Sequence, residues 1–194
     1  MDLSPETLLS AYMQGIFPMA HEDGRIYWYS PNPRAILPLD GLHVSQSLRR
    51  VLHRGAFDVR FDTDFAAVIA ACAAPAPGRE QTWISAELQR PYVDLHRLGF
   101  AHSVEAWQGA ELVGGLYGVS IRGFFAGESM FSRCRDASKV ALYYLVQHLR
   151  ARDFRLLDTQ FQTAHLMKVG AVEISRRRYL ALLRQALAVK TAFN

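Results

Sequence analysis

Three β-rich stretches, 101–107, 111–120 and 123–128, follow one another with only Gln108-Gly109 and Arg122-Gly123 marking the turns. Connections this short join neighbouring antiparallel strands, because a parallel partner needs a crossover of a dozen or more residues. The middle of the chain is therefore predicted to be an antiparallel meander, and every other element has to be arranged around it.

Upstream, Ser4-Pro5-Glu6-Thr7 reads as a helix start. A serine can cap free amides, a proline at the first helical position loses no needed hydrogen bond, and a glutamate suits the positive helix end. Leu8, Leu9, Tyr12 and Met13 fall at helical spacing, and Gly15 is a left-handed stop. The Pro- and aromatic-rich passage from Ile16 to Arg34 is expected to be a packed, irregular wall. Val44–His53 reads as a helix, Phe57–Phe61 as a strand and Asp62–Ala73 as a helix. Ala74-Pro75-Ala76-Pro77-Gly78 is the clearest loop. Ser85–Leu98 is helical, with Pro91 kinking it or beginning its second half. Downstream of the meander, Asp136 and Ser138 open a strong helix through Val140, Leu142, Leu145, Val146 and Leu149. A strand at 155–160, a helix near 163–169, a strand at 171–174 and a helix at 176–188 complete the chain. Three antiparallel strands followed by helix, strand and helix make an α+β fold, not a doubly wound parallel sheet.

Composition removes several classes of function. Of the 194 residues, 50% are hydrophobic and 21% charged, as in a globular domain. No apolar run approaches the roughly 20 residues needed to span a bilayer. The N-terminus lacks a basic region before an apolar stretch, so no signal peptide is read and a cytoplasmic location is expected. Cys72 and Cys134 cannot make a disulfide framework or a four-ligand zinc site by themselves. GxGxxG, GxxxxGK[ST], HExxH and GxSxG motifs are absent, so neither metal nor nucleotide cofactor is expected. The formal net charge is +4, which favours anionic partners without naming one. One basic group is His43, Arg49, Arg50, His53 and Arg54. A second, Arg176-Arg177-Arg178 with Arg184 and Lys190, reads as a solvated helix face.

Two stretches carry polar residues where a sheet should be apolar. In Gly127-Glu128-Ser129-Met130-Phe131-Ser132-Arg133, strand alternation puts Glu128 and Met130 on one face. A carboxylate there is costly unless a cation meets it. Glu128 is either a site residue or a strand-end group that is solvated or paired with Arg133. In Leu156-Leu157-Asp158-Thr159-Gln160, Asp158 and Gln160 share a face after buried apolar residues. An acid and an amide there can hold and orient an amine; alternatively, Asp158 caps the helix near Thr163.

Six ordered segments go further. Ala11-Tyr12-Met13-Gln14-Gly15-Ile16-Phe17-Pro18, Trp28-Tyr29-Ser30-Pro31-Asn32-Pro33-Arg34, Thr82-Trp83-Ile84, Gly114-Gly115-Leu116-Tyr117-Gly118-Val119, residues 127–133 and Leu157-Asp158-Thr159-Gln160 together resemble the leucyl/phenylalanyl-tRNA–protein transferases across nearly the whole chain. The resemblance implies an acyl-CoA N-acyltransferase-like catalytic domain at 36–194 behind a reduced N-terminal segment at 1–35. It also implies transfer of Leu or Phe, with Met a further candidate, from aminoacyl-tRNA to proteins that begin with Arg or Lys, feeding N-degron degradation. By the same resemblance, Gln160 would bond the acceptor amine, Asp158 would polarise Gln160 or accept the proton, and Glu128 would help place substrate. Leu116, Phe125, Met130, Leu142, Leu145 and Leu157 would form the side-chain pocket. Trp83 and Tyr12 would meet the tRNA 3′ end, with Met19 where longer members can carry a tryptophan. Arg49, Arg50, His53 and Arg54 would grip tRNA phosphates, and a monomer is expected. Two rivals differ in class. An acyl-CoA-dependent N-acyltransferase needs a glycine-rich turn for pyrophosphate, yet the corresponding region reads Ser132-Arg133-Cys134-Arg135-Asp136-Ala137. A non-catalytic RNA-binding module would need only the basic patch.

Overall fold

A computed structural model describes residues 2–21, 23–75 and 82–194. Residues 76–78 of the expected loop lie outside the described residues. Helix α1 (Pro5–Met13) starts as expected, with Ser4 Oγ accepting from the Thr7 amide at 3.3 Å. Gly15 follows it at φ +76°, a conformation that favours glycine.

The passage expected to be irregular instead contains two strands and the start of a third. β1 (Phe17–Ala20) and β2 (Ile26–Tyr29) form an antiparallel ribbon, and β3 (Arg34–Ile36) joins the main sheet. Each strand of a two-stranded ribbon has a free edge, so Pro18 sits there without removing a needed donor. Pro31 and Pro33 lie in the link between β2 and β3, where they turn the chain.

α2 (Gln46–His53), β4 (Asp58–Phe61), α3 (Phe65–Ala73) and α4 (Ala86–Arg97) follow. α4 passes through Pro91 as one helix; the missing N–H leaves the Glu87 carbonyl without its usual partner. The meander is β5 (Ala101–Gln108), β6 (Glu111–Ile121) and β7 (Phe124–Ser132). α5 (Ala137–Ala151), β8 (Leu156–Gln160), α6 (Ala164–Lys168), β9 (Val172–Ile174) and α7 (Arg176–Ala188) complete the α+β fold.

Seven strands lie in the order β4-β5-β6-β7-β8-β3-β9. All neighbours are antiparallel except β7 and β8, which α5 connects. Successive residues then face opposite layers. Phe124, Ala126 and Leu156 pack with α1, α3, α4 and α7, whereas Phe125 and Leu157 pack with Leu142, Leu145 and Leu149 of α5. Two apolar cores thus enclose the sheet, and a polar side chain entering either needs partners.

Candidate active site

β7 and β8 pair only from Phe124–Leu156 to Ala126–Asp158. Beyond that point β7 stays with β6 and β8 with β3, so the two strands part. A cavity of about 460 Å³ opens in the fork, between Gly127–Ser132 on one side and Thr159–Phe161 on the other. Strand ends that diverge expose backbone and side chains to a cleft while the rest of the sheet holds them rigid.

Irregularities in the ladder aim the polar residues. Tyr117 faces Ser129 and Gly118 faces Gly127, so Glu128 is an extra residue, a β-bulge. Gly118 makes room for it: a Cβ there would run into the Ala126 carbonyl oxygen. On β8, Ala35 faces Gln160 and Ile36 faces Asp158, which leaves Thr159 as the extra residue. Gln160 then adopts φ +56°, and its backbone N–H donates to Asp158 Oδ1 at 2.9 Å.

These features bring Glu128, Asp158 and Gln160 into one network. Gln160 Nε2 donates to Glu128 Oε1 at 3.1 Å, and Tyr92 Oη donates to Glu128 Oε2 at 3.3 Å. Tyr12 and Tyr92 share a hydrogen bond of 2.6 Å behind it. Burial pushes the Glu128 carboxyl up to about 8, and the Asp158 charge adds to this against the tyrosine hydrogen bonds and Arg34. At neutral pH Glu128 therefore carries a proton and places no full negative charge in the apolar layer.

Asp158 has a different surrounding. Arg34 Nε donates to its Oδ1 at 2.9 Å and Nη2 to its Oδ2 at 2.6 Å; Tyr179 Oη adds 2.8 Å to Oδ2. Arg34 also donates to the Gly15 carbonyl, and its guanidinium lies against the Phe17 and Tyr179 rings. With the Gln160 amide, four donors occupy the carboxylate, which is fully buried and absent from the cavity wall.

The family profile described as leucyl/phenylalanyl-tRNA protein transferase matches residues 36–184, and that of its N-terminal domain matches residues 1–32. The chain belongs to this family. A leucyl/phenylalanyl-tRNA–protein transferase of Rhodospirillum rubrum is 55% identical over all of this chain and 92% of its own length. One of Herpetosiphon aurantiacus is 57% identical over 98% of each. Among solved structures, the C-terminal domain of a putative lysylphosphatidylglycerol synthetase from Agrobacterium fabrum aligns at TM-score 0.44 and 11% identity, over 94% of this chain and 57% of that one.

In this member of the family, Leu116, Met130, Leu142, Leu145 and Leu157 line the cavity, and Trp83 and Met19 line it from the side of the other core. Phe125, expected among them, does not. It belongs to the stretch of β7 still paired with β8 and stacks on Phe193 one layer back, with centroids 5.5 Å apart. Tyr12, expected at the tRNA 3′ end, is 1% exposed and bonded to Tyr92 beneath Glu128. Asp158, expected to polarise Gln160 or accept the proton, bonds the backbone N–H of Gln160. The alternatives also part: Glu128 is buried and Arg133 bonds the Leu112 carbonyl, while Thr163, not Asp158, caps α6. Arg49, Arg50 and His53 are exposed on α2, and Arg54 follows at its end. Sequence reasoning missed Arg34, Tyr92 and Tyr179 as partners of the polar residues. Arg34 alone had a signal, since it ends one of the six shared segments.

Proposed function

We propose that the protein moves a leucyl or phenylalanyl group from its tRNA to the α-amine of a protein beginning with Arg or Lys. The cytoplasmic product would enter degradation through its new bulky N-terminal residue. The observation that carries this reading is the buried Glu128–Gln160 pair on the wall of an apolar cavity. An aminoacyl ester is already activated, so the protein mainly positions an amine against its carbonyl. A peptide α-amine has a reference pKa near 7.7–8.0 and is partly neutral without a strong base.

Gln160 Nε2 is committed to Glu128, which leaves Oε1 to accept an N–H from the amine and aim the nitrogen lone pair. That pair adds to the carbonyl carbon, and the carbonyl π electrons move to oxygen. As they return, the bond to the ribose oxygen breaks, the nitrogen loses a proton and the ribose oxygen gains one. Leu116, Met130, Leu142, Leu145 and Leu157 would hold the leucyl or phenylalanyl side chain. Trp83 would stack on the terminal adenosine, and Arg49, Arg50, His53 and Arg54 would meet tRNA phosphates, which give affinity and salt dependence. Asp158 acts as a positioning residue: its charge, matched by Arg34, holds Gln160 in its left-handed turn. Neither metal nor nucleotide cofactor is required, and one protomer suffices.

The test crosses Leu-, Phe- and Met-tRNA with peptides of each N-terminal residue. Leu or Phe should transfer to Arg- and Lys-initiated peptides, and Gln160→Ala should slow transfer roughly 100-fold or more with tRNA binding intact. Full activity in that variant removes Gln160 from the chemistry; no transfer by the unaltered protein removes the proposal.

A further inference from the structure

Among the described residues, three buried side-chain polar atoms lack a hydrogen-bond partner: Tyr117 Oη, Thr159 Oγ1 and His165 Nε2. All three belong to residues that line the one cavity in the fork. An orphaned buried polar atom is costly, and folds keep such atoms mainly where another molecule completes them. Tyr117 is fully buried against Phe65 and Tyr92 in the core beneath Glu128. Thr159 and His165 have a more telling location.

Thr159 is the bulged residue of β8 and immediately precedes Gln160, the proposed amine holder. Leu157, two residues before it, is a wall of the side-chain pocket, and Leu166, the neighbour of His165, packs against that same apolar cluster. The two orphans therefore adjoin both the place for the amine and the place for the acyl side chain. In an aminoacyl ester, the group between those two is the carbonyl.

The local field narrows the choice of substrate group. Burial, then the nearby Lys139 and Lys168, hold His165 below the usual imidazole range, so the ring is neutral. Lys168, with Lys139 held by Asp136 at 2.7 Å, disfavours a cation such as the donor's own ammonium and favours an oxygen that gains negative charge. A neutral imidazole N–H and a hydroxyl are both hydrogen-bond donors. Donors fixed where charge develops lower the barrier more than they tighten substrate binding.

We infer that His165 Nε2 and Thr159 Oγ1 form the donor pair for the ester carbonyl oxygen as it becomes an alkoxide. The inference rests on the aminoacyl-tRNA reading above. When the amine lone pair adds to the carbonyl carbon, the C=O π pair becomes a third lone pair on that oxygen, and the two donors take it. When the oxygen–carbon double bond re-forms, the ribose oxygen leaves and the donors are released with their protons unmoved.

The test compares wild type with His165→Ala, His165→Gln, Thr159→Val and Thr159→Ser, using Phe-tRNA and an Arg-initiated peptide. His165→Ala should lower kcat about 100-fold with KM changed less than about threefold, and Thr159→Val about 10-fold. Glutamine and serine, which keep a donor near the same place, should recover much of each loss. A phosphonate analogue of phenylalanyl-adenosine, whose charged oxygen stands in for the alkoxide, should lose affinity in proportion to kcat. A stable amide analogue of the ground state should not. The nearly isosteric Thr159→Val keeps the test open should His165→Ala fail to fold. Transfer by wild type together with unchanged kcat in both Ala and Val variants, losses confined to KM, or undiminished phosphonate binding would each overturn the donor pair alone. Failure of wild type to transfer from any charged tRNA would overturn the proposed function and the donor pair with it.

Discussion

Glu128 shows how one side chain is tuned by its neighbours. Its carboxyl titrates near 8 in the folded chain because it is buried, against 4.5 when free. Between those values the folded state holds a proton that the unfolded chain has released. Stability should therefore be complete below about pH 4.5 and fall as pH rises towards about 8, by several kcal/mol at most. Glu128→Gln keeps the shape and cannot ionise, so its denaturation midpoint should be flatter from pH 5 to 9; an equally steep profile would place the ionisation elsewhere. Arg34 is the opposite case, a buried cation whose partner is a buried anion at 2.6 Å. Arg34→Met should cost about 3–5 kcal/mol by urea unfolding, because Asp158 is left without its countercharge.

Among the elements, those with strong periodicity were legible. α1 follows from its serine cap and helical spacing, α5 from helical spacing, the meander from short turns and β8 from its apolar run, all local effects. Asp136, expected to open α5, sits at φ +69° and makes no side-chain cap bond. The ribbon β1–β2 was not legible, since Pro18 tells against a strand unless its nitrogen is known to lie on the unpaired edge. Spacing of two along β7 and β8 assumed an unbroken pleat. No residue type marks the bulges at Glu128 and Thr159, which arise from how neighbouring strands register. Hence the three polar residues were found, while the orientation of Asp158 and the places of Phe125 and Tyr12 were not. α2 was legible as a helix, and its surface makes a separate prediction. Replacing Arg49 and Arg50 by alanine should raise KM for charged tRNA. It should also reduce the slope of log affinity against log salt by about one to two. A lower kcat at unchanged KM would assign α2 another role.

For the whole molecule, two cores meet at the fork, and the cavity is bounded by residues from both. Its capacity follows from packing between α5 and the sheet, which periodicity cannot supply. Leu145→Phe adds bulk on the α5 wall, so transfer from Phe-tRNA should fall more than transfer from Leu-tRNA. Direct competition between the two charged tRNAs measures this, and an unchanged ratio would place the side chain elsewhere. Overpacking should lower stability by about 1–3 kcal/mol at the same time.

Arg34 ties the loop after α1 to Asp158, and Asp158 sets the backbone of Gln160. The first thirty-odd residues are thereby tied to the candidate site through this guanidinium, as well as through the Tyr12–Tyr92 hydrogen bond behind Glu128. Chimeras that exchange this leading portion between relatives should work only when the graft brings an arginine in register, however well the two halves fold. Recombination of such genes is accordingly constrained at the codon for Arg34, far along the chain from the carboxylate it serves.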